Sequence, residues 1–437
     1  MHKIGLVRRP PESSEGYNAR VNQIRNNWLS AHAARWNLKE KTRREFLRST
    51  LTSGIALGLA PAIVSAQSAQ QPTPQGVLSG AENDLYDFVD PELIPALKSI
   101  PKLHLTNETL AWVRQQEQAP PPLPPPAPQP VERRIPGAVG APELRLTIVD
   151  PAPGGKGRPV LVHTHGGGYV ARSAALAMNF LQTAAQNCNC VVVSVDYRLA
   201  PETRFPGSLE DNYTALRWVY VNADALGVDR KRIAVGGESA GGGHAAMLAI
   251  AARDRKEIPL AFQLLIYPML DDRTGSSQPV PPHIGAFVWT AESNRFGWTS
   301  LLGIPAGSPK VPPGSVPARV ENLAGLPPAF IVTGAIDLFV DEDIEYARRL
   351  IAAGVPTELH VVPGAYHGYD LLVPNAKVSA RFADYWTTAL RRALAPARPA
   401  VESTFAPSCT DRLFSGRHTR SPVSTTSSGE CHAITNR

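Results

Sequence analysis

The sequence contains the apolar run Arg232-Ile233-Ala234-Val235 and, beyond Gly236, the pentapeptide Gly237-Glu238-Ser239-Ala240-Gly241. The run is typical of a buried strand, and the Ala-rich stretch after the pentapeptide is typical of a helix. Ser239 is therefore predicted to lie at a sharp strand-to-helix turn. Glycines are needed beside it because any side chain there would clash with the neighbouring strand and helix. A serine held in such a turn is a candidate nucleophile.

A second glycine cluster, His165-Gly166-Gly167-Gly168-Tyr169, follows the apolar strand Pro159-Val160-Leu161-Val162. Alone, three glycines are typical of a flexible turn. Upstream of a candidate nucleophile, they predict backbone N–H groups that approach a developing oxyanion without a Cβ in the way. We assign Gly167, Gly168 and Ala240, the residue after the serine, as oxyanion-hole donors.

A serine hydroxyl needs a base, and the base needs a carboxylate that fixes its tautomer. Two later strands supply candidates: residues 330–334 lead into Asp337, and residues 358–362 lead into His367. The predicted catalytic residues are therefore Ser239, Asp337 and His367. Their order along the chain, serine then acid then histidine, is the order expected of α/β-hydrolases.

Each role has rivals. Asp341 and Asp343 fall in the first turn of a predicted helix, where acids complement the helix dipole. His163 and His360 lie inside predicted strands, and His244 lies in the helix after the serine. We expect these three histidines to have packing roles.

These segments resemble the hormone-sensitive-lipase group of α/β-hydrolases, a family of esterases and lipases. The resemblance spans roughly residues 80–395 and includes Asp196-Tyr197-Arg198-Leu199-Ala200-Pro201-Glu202 and Tyr267-Pro268. It implies carboxylic ester hydrolysis, the oxyanion role of the glycines and a lid over an acyl pocket. One departure is Leu338, where the family often has proline after the acid. For the segment 196–202 we expect a structural role, with Arg198 buried and paired with acids.

The coarse pattern alternates apolar strands with helices, which predicts an α/β fold with a mostly parallel sheet, helices on both faces and a helical cap. Strands are predicted near 158–164, 191–195, 232–236, 261–266, 329–334 and 358–362. Helices are predicted near 174–187, 208–226, 240–253 and 341–353.

The net charge of +6 on 437 residues is concentrated at the front of the chain. Residues 1–50 carry eleven Lys and Arg against four acids, a balance of +7, and residues 401–437 carry four against three, a balance of +1. About −2 is left for the remainder. Because the body is nearly neutral, nucleic acid is not expected as a partner.

The basic front end contains Thr42-Arg43-Arg44-Glu45-Phe46-Leu47-Arg48, followed by the apolar run 51–64 and Val64-Ser65-Ala66. This pattern predicts a twin-arginine export signal over 1–66 and a mature protein in the periplasm or outside the cell. Membrane contact is then expected only during export or through an uncleaved signal. An ordinary amphipathic helix with a chance arginine pair is the alternative.

The remaining segments complete a predicted division of the chain. Residues 67–135 are assigned to N-terminal cap helices and a Pro-rich linker, since residues 120–130 include eight prolines. The catalytic domain is assigned to 136–396, with a cap insertion at about 276–302, and the tail 397–437 is predicted to be disordered. The aromatic residues of the insertion either line the acyl pocket or pack the cap: Phe287, Trp289, Phe296 and Trp298.

The four cysteines do not form a disulfide framework. Cys188 and Cys190 are interpreted as buried thiols, and Cys409 and Cys431 could close a loop in the tail. No His and Cys set has zinc spacing, so neither a metal nor a cofactor is expected.

The leading hypothesis is a serine carboxylesterase acting on short- to medium-chain esters of small molecules, with an undetermined oligomeric state. An amidase, lactonase or acyltransferase could use the same residues, because discrimination lies in the pocket shape. A binding protein on a retired hydrolase scaffold is a third possibility.

Overall fold

The computed structural model describes residues 84–100, 104–117, 123 and 127–396. The predicted signal region, the predicted tail, Cys409 and Cys431 lie outside these residues. The division of the chain into segments therefore stays a prediction for its two ends.

An eight-stranded sheet runs through the protein in the order β1-β2-β4-β3-β5-β6-β7-β8. β1 and β2 pair antiparallel, as do β2 and β4, and the other neighbouring strands are parallel. The strands are β1 Pro130–Ile135, β2 Leu144–Val149, β3 Arg158–Thr164, β4 Val191–Asp196, β5 Val228–Glu238, β6 Phe262–Ile266, β7 Ala329–Gly334 and β8 Thr357–Val362.

Helices flank the sheet, and each predicted helix is present. The α-helices are α1 Ile94–Ser99, α2 Asn107–Gln116, α3 Met178–Cys188, α4 Gly207–Val221, α5 Ala223–Leu226, α6 Ala240–Arg255, α7 Ala291–Leu302, α8 Val340–Ala352, α9 Tyr369–Leu372 and α10 Lys377–Ala393. Short 3-10 turns occur at Asp84–Phe88, Ala174–Ala177 and Pro317–Arg319. None of these helices, within the described residues, is long and apolar enough to cross a bilayer.

The core lies on both faces of the sheet, because the central strands are buried on both sides. In β3, Val160 and Val162 pack into one apolar cluster, whereas Leu161 between them packs into the other. Alternate residues of a strand point to opposite faces, so an unbroken apolar run requires two covered faces. The predicted α/β fold with a mostly parallel sheet is confirmed.

Strands β1 and β2 and helices α9 and α10 were not predicted from the sequence. β1 has four consecutive exposed residues, Val131 to Arg134, so it lacks an apolar run. It is nevertheless an edge strand of the sheet, which corrects the assignment of residues 130–135 to the cap and linker segment. α10 is amphipathic and buries Phe382, Trp386 and Leu390 at a spacing of four residues.

The described part of the predicted linker lies against α3. Gln182, which is buried, accepts a hydrogen bond from the Leu123 backbone N–H at 2.8 Å and donates one to the Pro128 carbonyl at 2.8 Å. Cys188 and Cys190 are buried free thiols, as predicted.

Candidate active site

Ser239 lies at the sharp turn between β5 and α6, as the sequence predicted. Its backbone has φ 59° and ψ −122°. Residues other than glycine rarely adopt such a positive φ. The flanking glycines are required by space, since a Cβ on Gly237 or Gly241 would lie 2.1 or 2.0 Å from the Thr164 carbonyl oxygen. Each distance is far inside van der Waals contact, so the turn depends on both glycines.

The three predicted side chains converge at the carboxyl edge of the sheet. Ser239 Oγ lies 2.9 Å from His367 Nε2, and His367 Nδ1 lies 2.8 Å from Asp337 Oδ2. Asp337 follows β7 and is 1% exposed, whereas His367 follows β8 and is 7% exposed. With the imidazole proton on Nδ1, that N–H donates a hydrogen bond to Asp337 Oδ2, and Nε2 is free to accept the serine proton.

The carboxylate and the imidazole are each fixed by neighbouring groups. Asp337 Oδ1 accepts a hydrogen bond from the Phe339 backbone N–H at 3.0 Å. The rings of Tyr267 and Phe339 meet the His367 ring edge-on, with centroids 4.8 and 5.1 Å away. Leu338, which departs from the family pattern, is buried and does not displace the acid. The imidazole is therefore held towards Ser239.

The glycine loop after β3 lies beside the serine. Gly167 and Gly168 have φ of 117° and 59°, conformations that favour glycine. Both line the same cavity as Ser239 and His367. Ala240, the third predicted donor, is the buried first residue of α6. The loop and the helix start thus flank the serine as an oxyanion hole requires.

The cavity at the site has a volume of about 630 Å³, which suits a small ligand. Its walls are mainly apolar, with an exposed rim of Trp112, Val288, Leu371 and Leu372. Of the four aromatic residues named from the sequence, Trp289 lines this cavity. Trp298 is fully buried in the core, and Phe287 packs against Tyr86 and Tyr366. The insertion therefore lines the cavity through Trp289 and packs against the rest of the protein through Phe287 and Trp298.

The rival residues lie elsewhere. Asp341 is exposed in the first turn of α8, and Asp343 is fully buried one residue beyond Glu342. His360 bonds Glu358 at 2.7 Å on β8, and His244 packs between Tyr169 and Tyr197. None of these four predicted rivals contacts Ser239 through a described hydrogen bond.

His163 has a role that the sequence did not reveal. Its Nε2 lies 2.8 Å from Glu238 Oε2, and its Nδ1 lies 2.8 Å from Ser194 Oγ. Burial raises the pKa of Glu238, but the charge and hydrogen bond of His163 outweigh this and leave the pKa lowered. Glu238, the acid inside the pentapeptide, was the sequence feature that could have indicated this pair, because a buried carboxylate needs a hydrogen-bonding or charged partner.

The segment 196–202 has the expected structural role. Asp196 bonds Arg145 and the backbone N–H of Ala174, both at 2.7 Å. Arg198 pairs with Asp211 of α4 at 2.9 Å, although its side chain is 31% exposed and so only half-buried. Within the described residues, no group of three or more His, Cys, Asp or Glu side chains could hold a metal ion.

A serine at a strand-to-helix turn, with the histidine and acid after later strands of a mostly parallel sheet, defines the α/β-hydrolase class. The family model described as alpha/beta hydrolase fold matches residues 161–371. The chain is 35% identical to Esterase LipI of Mycobacterium tuberculosis over 64% of its length and 88% of that protein. It is 36% identical to Carboxylesterase NlhH of the same species over 60% of its length and 83% of that protein.

Solved structures that are similar to this chain are also named as esterases. A bacterial heroin esterase has a TM-score of 0.64 and 36% identity, with 71% of this chain and 99% of that one covered. Esterase LipW from Mycobacterium marinum has a TM-score of 0.63 and 34% identity, with 71% and 98% covered. The chain belongs to the α/β-hydrolase family, and the predicted resemblance to its hormone-sensitive-lipase group is confirmed.

Proposed function

We propose that the protein is a serine carboxylesterase that hydrolyses short- to medium-chain esters. The observation that carries this proposal is the hydrogen-bonded chain from Ser239 Oγ through His367 to Asp337, open to a largely apolar cavity. The esterase names of the relatives support the same class of reaction.

In the proposed reaction, His367 Nε2 takes the proton of Ser239 as Oγ attacks the ester carbonyl carbon. Asp337 stabilises the imidazolium through Nδ1. The tetrahedral intermediate collapses, and the imidazolium gives its proton to the departing alkoxide. Water, deprotonated by His367, then attacks the acyl-enzyme ester, and the imidazolium returns this proton to Ser239 Oγ as the acid is released.

Negative charge develops on the former carbonyl oxygen in both steps. The backbone N–H groups of Gly167, Gly168 and Ala240 are the proposed donors to this oxyanion. Donors already in place cost no reorganisation in the transition state, and a single one contributes about 10²–10³ in turnover.

Replacement of the nucleophile tests this function. Ser239→Ala should lower kcat for 4-nitrophenyl butyrate on the order of a millionfold, because the three side chains act as a unit. Activity that survives the substitution would refute the proposal. A panel of esters, lactones and amides of matched size then separates an esterase from a lactonase or an amidase.

We also infer export by the twin-arginine pathway, on the basis of Arg43, Arg44 and the apolar run that follows them. Replacement of both arginines with lysine should keep the activity in the cytoplasmic fraction. The pair Arg8 and Arg9 provides a matched control, and its replacement should leave export unchanged. Export that persists without Arg43 and Arg44 contradicts the inference.

A further inference from the structure

The segment after the glycine loop has an unusual backbone. Gly167, Gly168, Tyr169 and Arg172 all have positive φ, at 117°, 59°, 68° and 71°. Tyr169 and Arg172 are not glycines, and such conformations persist only where the surroundings enforce them. The segment therefore needs external contacts to keep its shape.

Helix α2 supplies one set of these contacts through Arg114. Its Nε donates to the Val170 carbonyl at 2.8 Å, and its Nη2 donates to the Ala200 carbonyl at 2.9 Å. The Ala200 backbone N–H donates in turn to the Tyr169 carbonyl at 3.0 Å. One planar guanidinium thus joins two backbone segments, a geometry that the single ammonium of lysine cannot reproduce.

A second contact comes from Glu117, which follows the end of α2. Its Oε1 accepts a hydrogen bond from the Arg172 backbone N–H at 2.7 Å. Burial raises the pKa of this carboxyl, partly offset by that hydrogen bond and by the charges of Arg172 and Arg114. The carboxyl is thus partly buried and held against the loop backbone.

The outer ion pair of Arg114 does not explain these contacts. Glu202, which it meets at 2.8 Å, has a side chain that is 62% exposed. Exposed pairs of this kind contribute little to stability, because water screens their charges. The inner hydrogen bonds end on the carbonyl of Val170, two residues after Gly168, and on the carbonyl of Ala200, whose own N–H bonds Tyr169.

We propose that Arg114 and Glu117 are positioning residues that hold the glycine loop in the geometry of the oxyanion hole. This inference rests on the proposed esterase function. It makes α2 part of the machinery of transition-state stabilisation, acting through the backbone of residues 169–172. Arg114 lies outside the set of described residues that line the cavity, so its effect would not come from contact with substrate, whereas Glu117 is one of the lining residues and its role is tested by the Gln variant.

Four variants test the proposal with 4-nitrophenyl butyrate and with a trifluoromethyl ketone, which mimics the tetrahedral intermediate. Arg114→Lys and Glu117→Ala should lower kcat on the order of tenfold, because small displacements of positioned groups are costly. KM should stay within about twofold, and the Ki of the ketone should rise with the fall in kcat/KM. Glu117→Gln should restore activity, since its amide oxygen still accepts from the Arg172 N–H. Glu108→Ala, on the same helix, is the matched control.

Two results would overturn the proposal. One is a variant whose melting temperature falls while kcat and the ketone Ki of the folded enzyme are unchanged, because that is purely structural behaviour. The other is Glu117→Gln that behaves like Glu117→Ala. Ser239→Ala, measured alongside, tests the esterase function separately, because an inactive Ser239 variant with unimpaired Arg114 and Glu117 variants would refute the positioning role alone.

Discussion

The indole of Trp289 occupies the space that a side chain on Gly168 would need. A Cβ on Gly168 would lie 2.1 Å from Trp289 Cη2, and the Trp289 ring centroid is 6.2 Å from that of His367. Asn294 accepts a hydrogen bond from Trp289 Nε1 at 3.2 Å and is itself bonded to the Thr274 carbonyl. Trp289 is thus wedged between the proposed oxyanion loop and the proposed base.

Trp289→Ala should move the preference towards longer acyl chains, because it removes bulk from the cavity beside the reacting atoms. We expect kcat/KM for 4-nitrophenyl octanoate to rise relative to the acetate by about tenfold or more, within the range that pocket contacts supply. Phe296→Ala on α7, outside the cavity lining, is the control for loss of a nearby aromatic side chain. An unchanged chain-length profile in the Trp289 variant would show that another wall limits the substrate.

Gly168→Ala should impair turnover. The added Cβ meets the indole, and φ of 59° is strained for any L side chain. We expect kcat to fall by about 10²-fold, comparable to the loss of one oxyanion donor. The double variant with Trp289→Ala should recover part of this loss by removing the clash. Failure of the double variant to recover would assign the defect to backbone strain alone.

Asp337→Asn should lower kcat about 10⁴-fold, because asparagine favours the wrong imidazole tautomer. Asp341→Asn is a matched control, since Asp341 is a nearby acid that is exposed on α8. Its kcat should equal that of the wild type. Similar losses in the two variants would contradict the assignment of Asp337 as the acid.

The contribution of two buried histidines to stability should fall as the pH drops below about 6.5, because both must be charged on unfolding, whereas the buried acids Asp370, Glu342 and Asp343, whose pKa values burial raises, act in the opposite direction. Burial lowers the pKa of His165 to about 4 and that of His244 to about 3. The unfolded chain binds these protons near pH 6.5, so at pH 5 each histidine removes about 2 kcal/mol of the stability present at pH 8. Urea unfolding at pH 8, 6.5 and 5, compared between the wild type and a variant that lacks one of the histidines, measures this loss.

His244→Phe should remove the contribution of His244, about 2 kcal/mol between pH 8 and pH 5, from the pH dependence of the wild type. Within the described residues neither nitrogen of His244 has a hydrogen-bond partner, so the phenyl ring gives up no bond and keeps the contacts with Tyr169 and Tyr197. His104→Gln, at an exposed position, is the control. An equal pH dependence in the His244 variant and the wild type would contradict this account.

Much of the fold was predictable because the central strands are apolar on both faces, as in β3, and because glycines mark the turn at Ser239. The antiparallel edge was not, since β1 is exposed and has no apolar run. The convergence of Ser239, Asp337 and His367 was predictable because each of them follows an apolar strand of the predicted parallel sheet. That pattern gave no information on contacts made by side chains between distant elements.

The hydrogen bond from His163 to Glu238 and those from Arg114 to the loop are contacts of this kind between distant elements. They join residues 75 and at least 56 positions apart. No local sequence pattern specifies such pairs, because glutamate and arginine are also common on solvated surfaces. Only the pairing of β3 with β5 and the packing of α2 against the loop bring these residues together.

Peptide mapping by mass spectrometry after reaction with a fluorophosphonate probe tests the central claim most directly. We predict one phosphonyl adduct, on Ser239, that forms on the folded protein and does not form on protein denatured before the probe is added or on the His367→Ala variant. An adduct on another residue, or no adduct on the folded protein, would contradict it.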